Sequence, residues 1–209
     1  MLEYSHYLVQ KVSGTWSELF NSQALINLNQ GVAAAVWYLF ITLLGWISYP
    51  FVRTAFGGLS DKGFPLSKLI GLILWAFITW FGSSCGIEFS RRFIAFAFYF
   101  FVIFNLMIFI KDKKEITAEI TQEWKYFLTV DIITLLFFLY FLLVRLGNPD
   151  LWHPYKGGEK PMDFAYFNAI VKSVKFPPYD PWYAGGYINY YYFGFVLSAV
   201  PVKLLGITP

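Results

Sequence analysis

Five runs of mostly apolar residues, at 32–52, 66–83, 93–110, 126–146 and 188–205, account for much of this 209-residue chain. About 20 such residues in a helix cross a hydrocarbon layer some 30 Å thick. Within lipid the backbone has no water to bond to, so each run is expected to close its own hydrogen bonds as a helix. The sequence therefore predicts an all-α fold, a polytopic transmembrane helix bundle of about five spans. Composition agrees: 57% of residues are hydrophobic and 14% charged, against roughly 45–50% and about 25% in soluble domains. The 24 Phe, 15 Tyr and 8 Trp suit a bilayer, where Trp and Tyr sit at headgroup depth.

The organisation follows from these runs. Residues 1–30 mix Leu, Val and Phe with Ser, Asn, Glu and Lys, which reads as an interfacial segment lying along the membrane. Residues 31–146 hold four spans with short connectors, 147–187 form a long loop, and 188–209 form the fifth span. Pro50, Pro65 and Pro201 fall at or near span ends, where a missing backbone donor is tolerated. Gly57, Gly58 and Gly63 mark a flexible connector, and 111–125 is a charged connector of a helical turn or two. No removable signal peptide opens the chain, so the first span acts as the targeting signal. The sole cysteine, Cys85, excludes an internal disulfide and reads as a small buried filler. The net charge of +3 is scattered without a basic stripe, so nucleic acid is not an expected partner.

Orientation rests on the connector cations. Arg53, Lys62, Lys68, Lys111, Lys113, Lys114 and Lys125 fall between spans one and two or three and four, whereas the connector after span two holds only Arg91 and Arg92. That puts the first set in the cytoplasm and the 147–187 loop outside, in a multi-pass cell-membrane protein. Asp131, inside the fourth span, is expected to face protein or water, or to lie at headgroup depth. Arg145 and Lys203 lie close enough to span ends to snorkel.

A loop of some forty residues rich in Pro, Trp, Tyr and acids exceeds what a connector requires. Its middle carries Asp163, Phe167, Ile170 and Val174 at helical spacing, predicting a short interfacial helix with Asp163 in its first turn. There an acid suits the positive helix end and by itself is explained as a cap. Asp180-Pro-Trp-Tyr-Ala-Gly-Gly reads as a turn, and Tyr190, Tyr191 and Tyr192 as interfacial anchors opening the last span. His153 has no second histidine nearby and is read as a loop residue.

Asn148-Pro-Asp, Glu159-Lys-Pro-Met-Asp-Phe-Ala, Phe176-Pro-Pro-Tyr-Asp-Pro-Trp-Tyr-Ala-Gly and Ile188-Asn-Tyr-Tyr-Tyr-Phe-Gly together closely resemble the YYY membrane protein family, as does Pro65-Leu-Ser-Lys-Leu-Ile-Gly. Members of that family are long polytopic proteins similar to membrane glycosyltransferases of the GT-C type, which take sugar from a polyprenyl-phosphate carrier. The resemblance implies that the chain is the amino-terminal portion of a longer protein. It implies that Asp163, with Glu159 and Asp180 as weaker candidates, sits where the catalytic acid sits, on an external loop beside a short helix. Asp163 is flanked by Met162 and Phe164, without an adjacent acidic partner.

The expected function is thus a GT-C-like glycosyltransferase portion acting on a polyprenyl-phosphate sugar and a glycan or protein acceptor. Asp163 would deprotonate or orient an acceptor hydroxyl, Lys160 would pair with phosphate, and a divalent metal is a possible helper. Trp182, Tyr183, Asn189, Tyr190, Tyr191 and Tyr192 are the substrate-binding candidates. The alternative is a non-enzymatic membrane module that binds a lipid or protein partner through the same loop. A transporter fits less well, since the spans are uniformly apolar. An enzyme needs Asp163, Glu159, Asp180 and Lys160 to converge, whereas a structural loop scatters them.

Overall fold

The computed structural model of the chain describes residues 14–149 and 158–209. The first thirteen residues of the interfacial segment, Asp150 of the first loop motif, His153 and Lys156 lie outside the described residues. Among the described residues nine α-helices follow in order: α1 (Trp16–Leu19), α2 (Leu25–Leu28), α3 (Gln30–Ala55), α4 (Ser67–Ser84), α5 (Arg91–Lys111), α6 (Lys113–Gln122), α7 (Trp124–Gly147), α8 (Lys160–Lys172) and α9 (Tyr192–Leu205). A 3₁₀ turn, Phe64–Leu66, leads into α4. Among the described residues there is no strand; Tyr179 and Tyr187 form an isolated antiparallel bridge.

The protein is an all-helical membrane protein in which four segments are long and apolar enough to cross a bilayer: Gln30–Ala55, Phe64–Ser84, Arg91–Lys111 and Trp124–Gly147. Leu39, Leu43, Phe77, Phe96, Phe100, Leu136 and Phe141 on these segments are exposed, as lipid-facing side chains should be. The fifth run forms a helix of 14 residues, a length of about 21 Å at 1.5 Å per residue. Pro50, expected near the end of the first span, lies inside α3, which continues to Ala55.

The chain divides into two compact units, one of Met1–Ala33, Trp75–Phe98 and Asp150–Pro209, the other of Ala34–Leu74 and Tyr99–Pro149. The second unit contains an aromatic core of Tyr49, Phe64 and Phe127 with Ile116, flanked by Trp46. Phe64 and Phe127 stand 4.5 Å apart by ring centroid, and Tyr49 meets each edge-on at 5.4 Å. Helices in lipid gain little from hydrophobicity and associate by close approach through small residues. Gly71 of α4 provides such an approach: a Cβ there would lie 2.0 Å from Ser48 Oγ and 2.9 Å from Ser48 Cβ on α3. Ser48 is fully buried and donates to the Leu44 carbonyl, so it has no room to yield. Gly71→Ala is therefore expected to destabilise the protein by about 1–3 kcal/mol, read as thermal unfolding in detergent, and Ser48→Gly in the same chain should recover most of the loss.

The segment 111–125, expected as a turn or two, forms the ten-residue α6. Arg53, near the end of α3, ties it down: Nε donates to Glu119 Oε2 at 2.7 Å and Nη2 to Glu119 Oε1 at 2.8 Å. Nη2 also reaches Glu115 at 2.9 Å. These Arg53 hydrogen bonds hold the Glu119 carboxyl below its ordinary value of 4.5. A carboxyl depressed in the folded state contributes stability above that ordinary value and loses it as pH falls through the folded one. Thermal stability is thus expected to decline on acidification below about 4.5, and Glu119→Gln should flatten that acid limb while lowering stability at neutral pH.

In the first unit α8 packs on α9 through buried Ala169, Ile170 and Val171 on one helix and Val196, Ala199 and Val200 on the other. Helix α8 begins with Pro161 in its first turn, where no backbone donor is needed, and carries Asp163 there and Lys172 in its last turn, as the helix dipole favours. Beyond it, Val174 accepts from the Phe89 backbone at 2.7 Å, and the Phe89 and Phe176 rings meet at 4.9 Å. The segment before α3 is tied to the chain end by Asn27, which donates to the Gly206 carbonyl at 3.0 Å and accepts from the Thr208 backbone at 2.9 Å.

Three expectations are corrected here. Cys85, read as buried filler, is exposed at the turn after α4. Lys203 does not snorkel: it is 4% exposed, with Nζ donating to the Phe89 carbonyl at 2.5 Å and lying 4.5 Å from the Phe89 ring centre. Lys68, counted among connector cations, is the second residue of α4.

Candidate functional site

The predicted loop helix is α8, with Glu159 at its N-cap and Asp163 in its first turn. Glu159 has no side-chain capping bond, so its carboxylate is not consumed in ending the helix. Further along the chain the loop turns back. Asp180 N–H bonds the Gly186 carbonyl at 2.9 Å, Ile188 N–H bonds the Pro178 carbonyl at 2.9 Å, and Gly186 N–H bonds Tyr183 at 3.0 Å. Gly185, at φ +82, supplies the left-handed residue of this turn. The return carries Tyr190 back to α8, where its ring centre lies 6.1 Å from that of Tyr166.

The loop acids act on the two phenols through their charge. The Glu159 charge, above all, pushes the Tyr190 phenol above its ordinary value of 10.0, with further contributions from partial burial, Tyr191, Asp163 and Tyr166. Burial and then the Asp180 charge push Tyr166 up in the same direction. Like an ordinary phenol, Tyr190 is neutral at pH 7 and can donate a hydrogen bond. The Glu159 and Asp163 charges thus act on Tyr190 and the Asp180 charge on Tyr166, two rings whose centres lie 6.1 Å apart.

The remaining expected residues separate into groups. Asp180 Oδ1 accepts from the Trp182 backbone at 2.8 Å, so this acid also closes its own turn. Trp182 and Tyr183 are exposed at the tip of that turn, and Asn189 is exposed on the return. Lys160 opens α8 next to Glu159. Tyr192, expected as an anchor, begins α9 with its hydroxyl accepting from Trp80 Nε1 at 3.1 Å and its ring stacked on Phe176 at 6.0 Å. Tyr190, Tyr191 and Tyr192 line an open groove of about 550 Å³ with Phe77, Trp80 and Phe193, so the groove joins α4 to the start of α9. Tyr166 and Trp80 were not singled out by sequence reasoning. For Tyr166 the signal was available, three residues past Asp163 and therefore on the same helix face.

Among the described residues no group of three or more His, Cys, Asp or Glu is placed to hold a metal ion. A model of the family described as uncharacterized membrane protein (DUF2298) matches residues 74–209. The chain belongs to this family. No curated protein and no solved structure matches it. The family match includes all three carboxylates, both tyrosines and the aromatic groove, so the site described above lies wholly within the shared region.

The second unit holds a different polar cluster, on three candidate spans. Asp131 of α7 pairs through Oδ1 with the Lys68 ammonium of α4 and through Oδ2 accepts from Trp46 Nε1 of α3 at 3.0 Å. The Asp131 carbonyl accepts from the Tyr38 hydroxyl at 3.0 Å. An acid within a span is costly unless paired, and here both carboxylate oxygens have donors. Asp131 falls inside the family match, while Lys68, Trp46 and Tyr38 precede it.

Proposed function

We propose that this chain is the loop-bearing portion of a GT-C-like membrane glycosyltransferase that uses a polyprenyl-phosphate sugar donor. The observation that carries this reading is the joint action of Glu159 and Asp163 on Tyr190, at the end of an aromatic groove that starts on a candidate span. An isoprenoid chain has a hydrophobic path along Phe77 and Trp80, and its sugar meets tyrosine faces where that path ends. The resemblance of the loop motifs to the YYY family supports the same assignment.

In the proposed reaction an acceptor hydroxyl oxygen attacks the anomeric carbon of the donor. The bond from that carbon to the phosphate oxygen breaks, and the phosphate leaves with the electron pair. Asp163 accepts the hydroxyl proton, or orients the hydroxyl while the proton passes to Glu159. Lys160, at the start of the same helix, offsets the phosphate charge. Tyr190, a neutral phenol, donates to the sugar. Asp180, committed to the Trp182 backbone, has a positioning role through Tyr166. The loop is assigned to the extracytoplasmic side, where membrane glycosyl acceptors are presented.

The test is transfer of labelled sugar from a panel of polyprenyl-phosphate sugars by membranes containing the protein. Transfer by the wild type that is lost in Asp163→Asn, with normal insertion, supports catalysis. No transfer across the panel, or equal transfer by both, moves the reading to a binding module whose loop recognises a lipid or protein partner.

A further inference from the structure

Helix α6 separates its charges by face. Its two acids, Glu115 and Glu119, are turned toward Arg53 and hydrogen-bonded to it, while Ile116 is fully buried in the aromatic core. The opposite face is exposed and carries Lys113, Lys114, Thr117, Thr121 and Gln122, which with Ala118 line a shallow basin of about 590 Å³. Every polar group in that basin can donate a hydrogen bond, two of them carry positive charge, and no carboxylate lines it. Neither lysine ammonium has a partner among the described residues.

The depth of this face in the membrane is fixed by its neighbours. One residue, Asp112, separates α6 from the candidate span α5, and one residue, Glu123, separates it from the candidate span α7. A helix held this way lies at the level of the lipid headgroups. Trp124 follows immediately, exposed, with the Lys125 ammonium over its ring, as expected for a side chain at the membrane interface. Two lysines in the first turn also oppose the helix dipole, a local cost that binding an anion reverses.

We infer that the outer face of α6 is a docking site for the anionic headgroups of phospholipids, whose phosphates sit among Lys113, Lys114, Thr117 and Thr121. Charge complementarity selects this occupant over zwitterionic lipid, because two lysines and no carboxylate line the basin. The site lies in the second unit and stands apart from the proposed glycosyl transfer.

The probe is quenching in reconstituted vesicles, by brominated phosphatidylglycerol and by brominated phosphatidylcholine, of a tryptophan placed in the basin by Ala118→Trp on a Trp124→Phe background, with the Trp124→Phe parent subtracted. The expected result is preferential association of phosphatidylglycerol by roughly 5- to 30-fold at low salt, the range two interfacial lysines supply. Lys113→Gln/Lys114→Gln should bring the preference close to unity, as should high salt, with thermal unfolding in phosphatidylcholine unchanged. Equal quenching by the two lipids in the wild type, or an undiminished preference in the double variant, overturns the inference.

Discussion

Asp163→Asn is expected to reduce sugar transfer by roughly 10²–10⁴-fold, the usual contribution of a positioned general base. Asparagine keeps the shape and a hydrogen-bonding oxygen but cannot accept the proton of the acceptor hydroxyl. Helix α8 should tolerate the change, because asparagine suits the first turn and the helix is held by buried Ala169, Ile170 and Val171 rather than by this side chain. Insertion and melting should therefore match the wild type, which separates lost chemistry from lost fold. Glu159→Gln should cost less if Asp163 is the base. Comparable losses in the two variants would mean that the proton is shared between them. Tyr190→Phe removes only a donor and should lower the rate without abolishing transfer.

The largest effect on stability is expected at Asp131. Asp131→Ala leaves the Lys68 ammonium and the Trp46 indole N–H without their acceptor between candidate spans, where the paired side chains are only 20% and 12% exposed. Breaking one partner of a buried pair costs about 3–5 kcal/mol, most of it the uncompensated charge left behind. Replacing both partners removes that charge, so Lys68→Met/Asp131→Leu should be markedly more stable than Asp131→Ala alone. Thermal unfolding of the single and double variants in detergent measures the difference. A single variant as stable as the wild type would mean that water already solvates the pair.

The spans were legible because a run of apolar residues leaves the backbone only one way to cross lipid, and α3, α4, α5 and α7 follow the runs closely. The fifth run was overextended at its start. Ile188 is as apolar as its neighbours, but it bonds the Pro178 carbonyl across the loop turn and is buried there, so the helix opens only at Tyr192. Helix α8 was legible from its spacing and from Asp163. Its meeting with Tyr190 was not, since that depends on a turn closed by backbone bonds near Asp180. Lys68 and Asp131, 63 positions apart, each look like an ordinary charge near a span end until the two helices are packed. Lys203 reads as a snorkelling residue because sequence shows its place near a helix end but not the Phe89 carbonyl that receives it.

The convergence of acids on Tyr190 is the claim on which the functional reading turns, and a spectrophotometric tyrosinate titration tests it directly. The titration of Tyr190 is isolated by subtracting the curve of Tyr190→Phe from that of the intact protein. The expected curve lies above the ordinary tyrosine value of 10.0 and moves down toward it in Glu159→Gln and, to a smaller extent, in Asp163→Asn. A Tyr190 curve that neither substitution moves would mean that the carboxylates do not share a site, and would contradict the account.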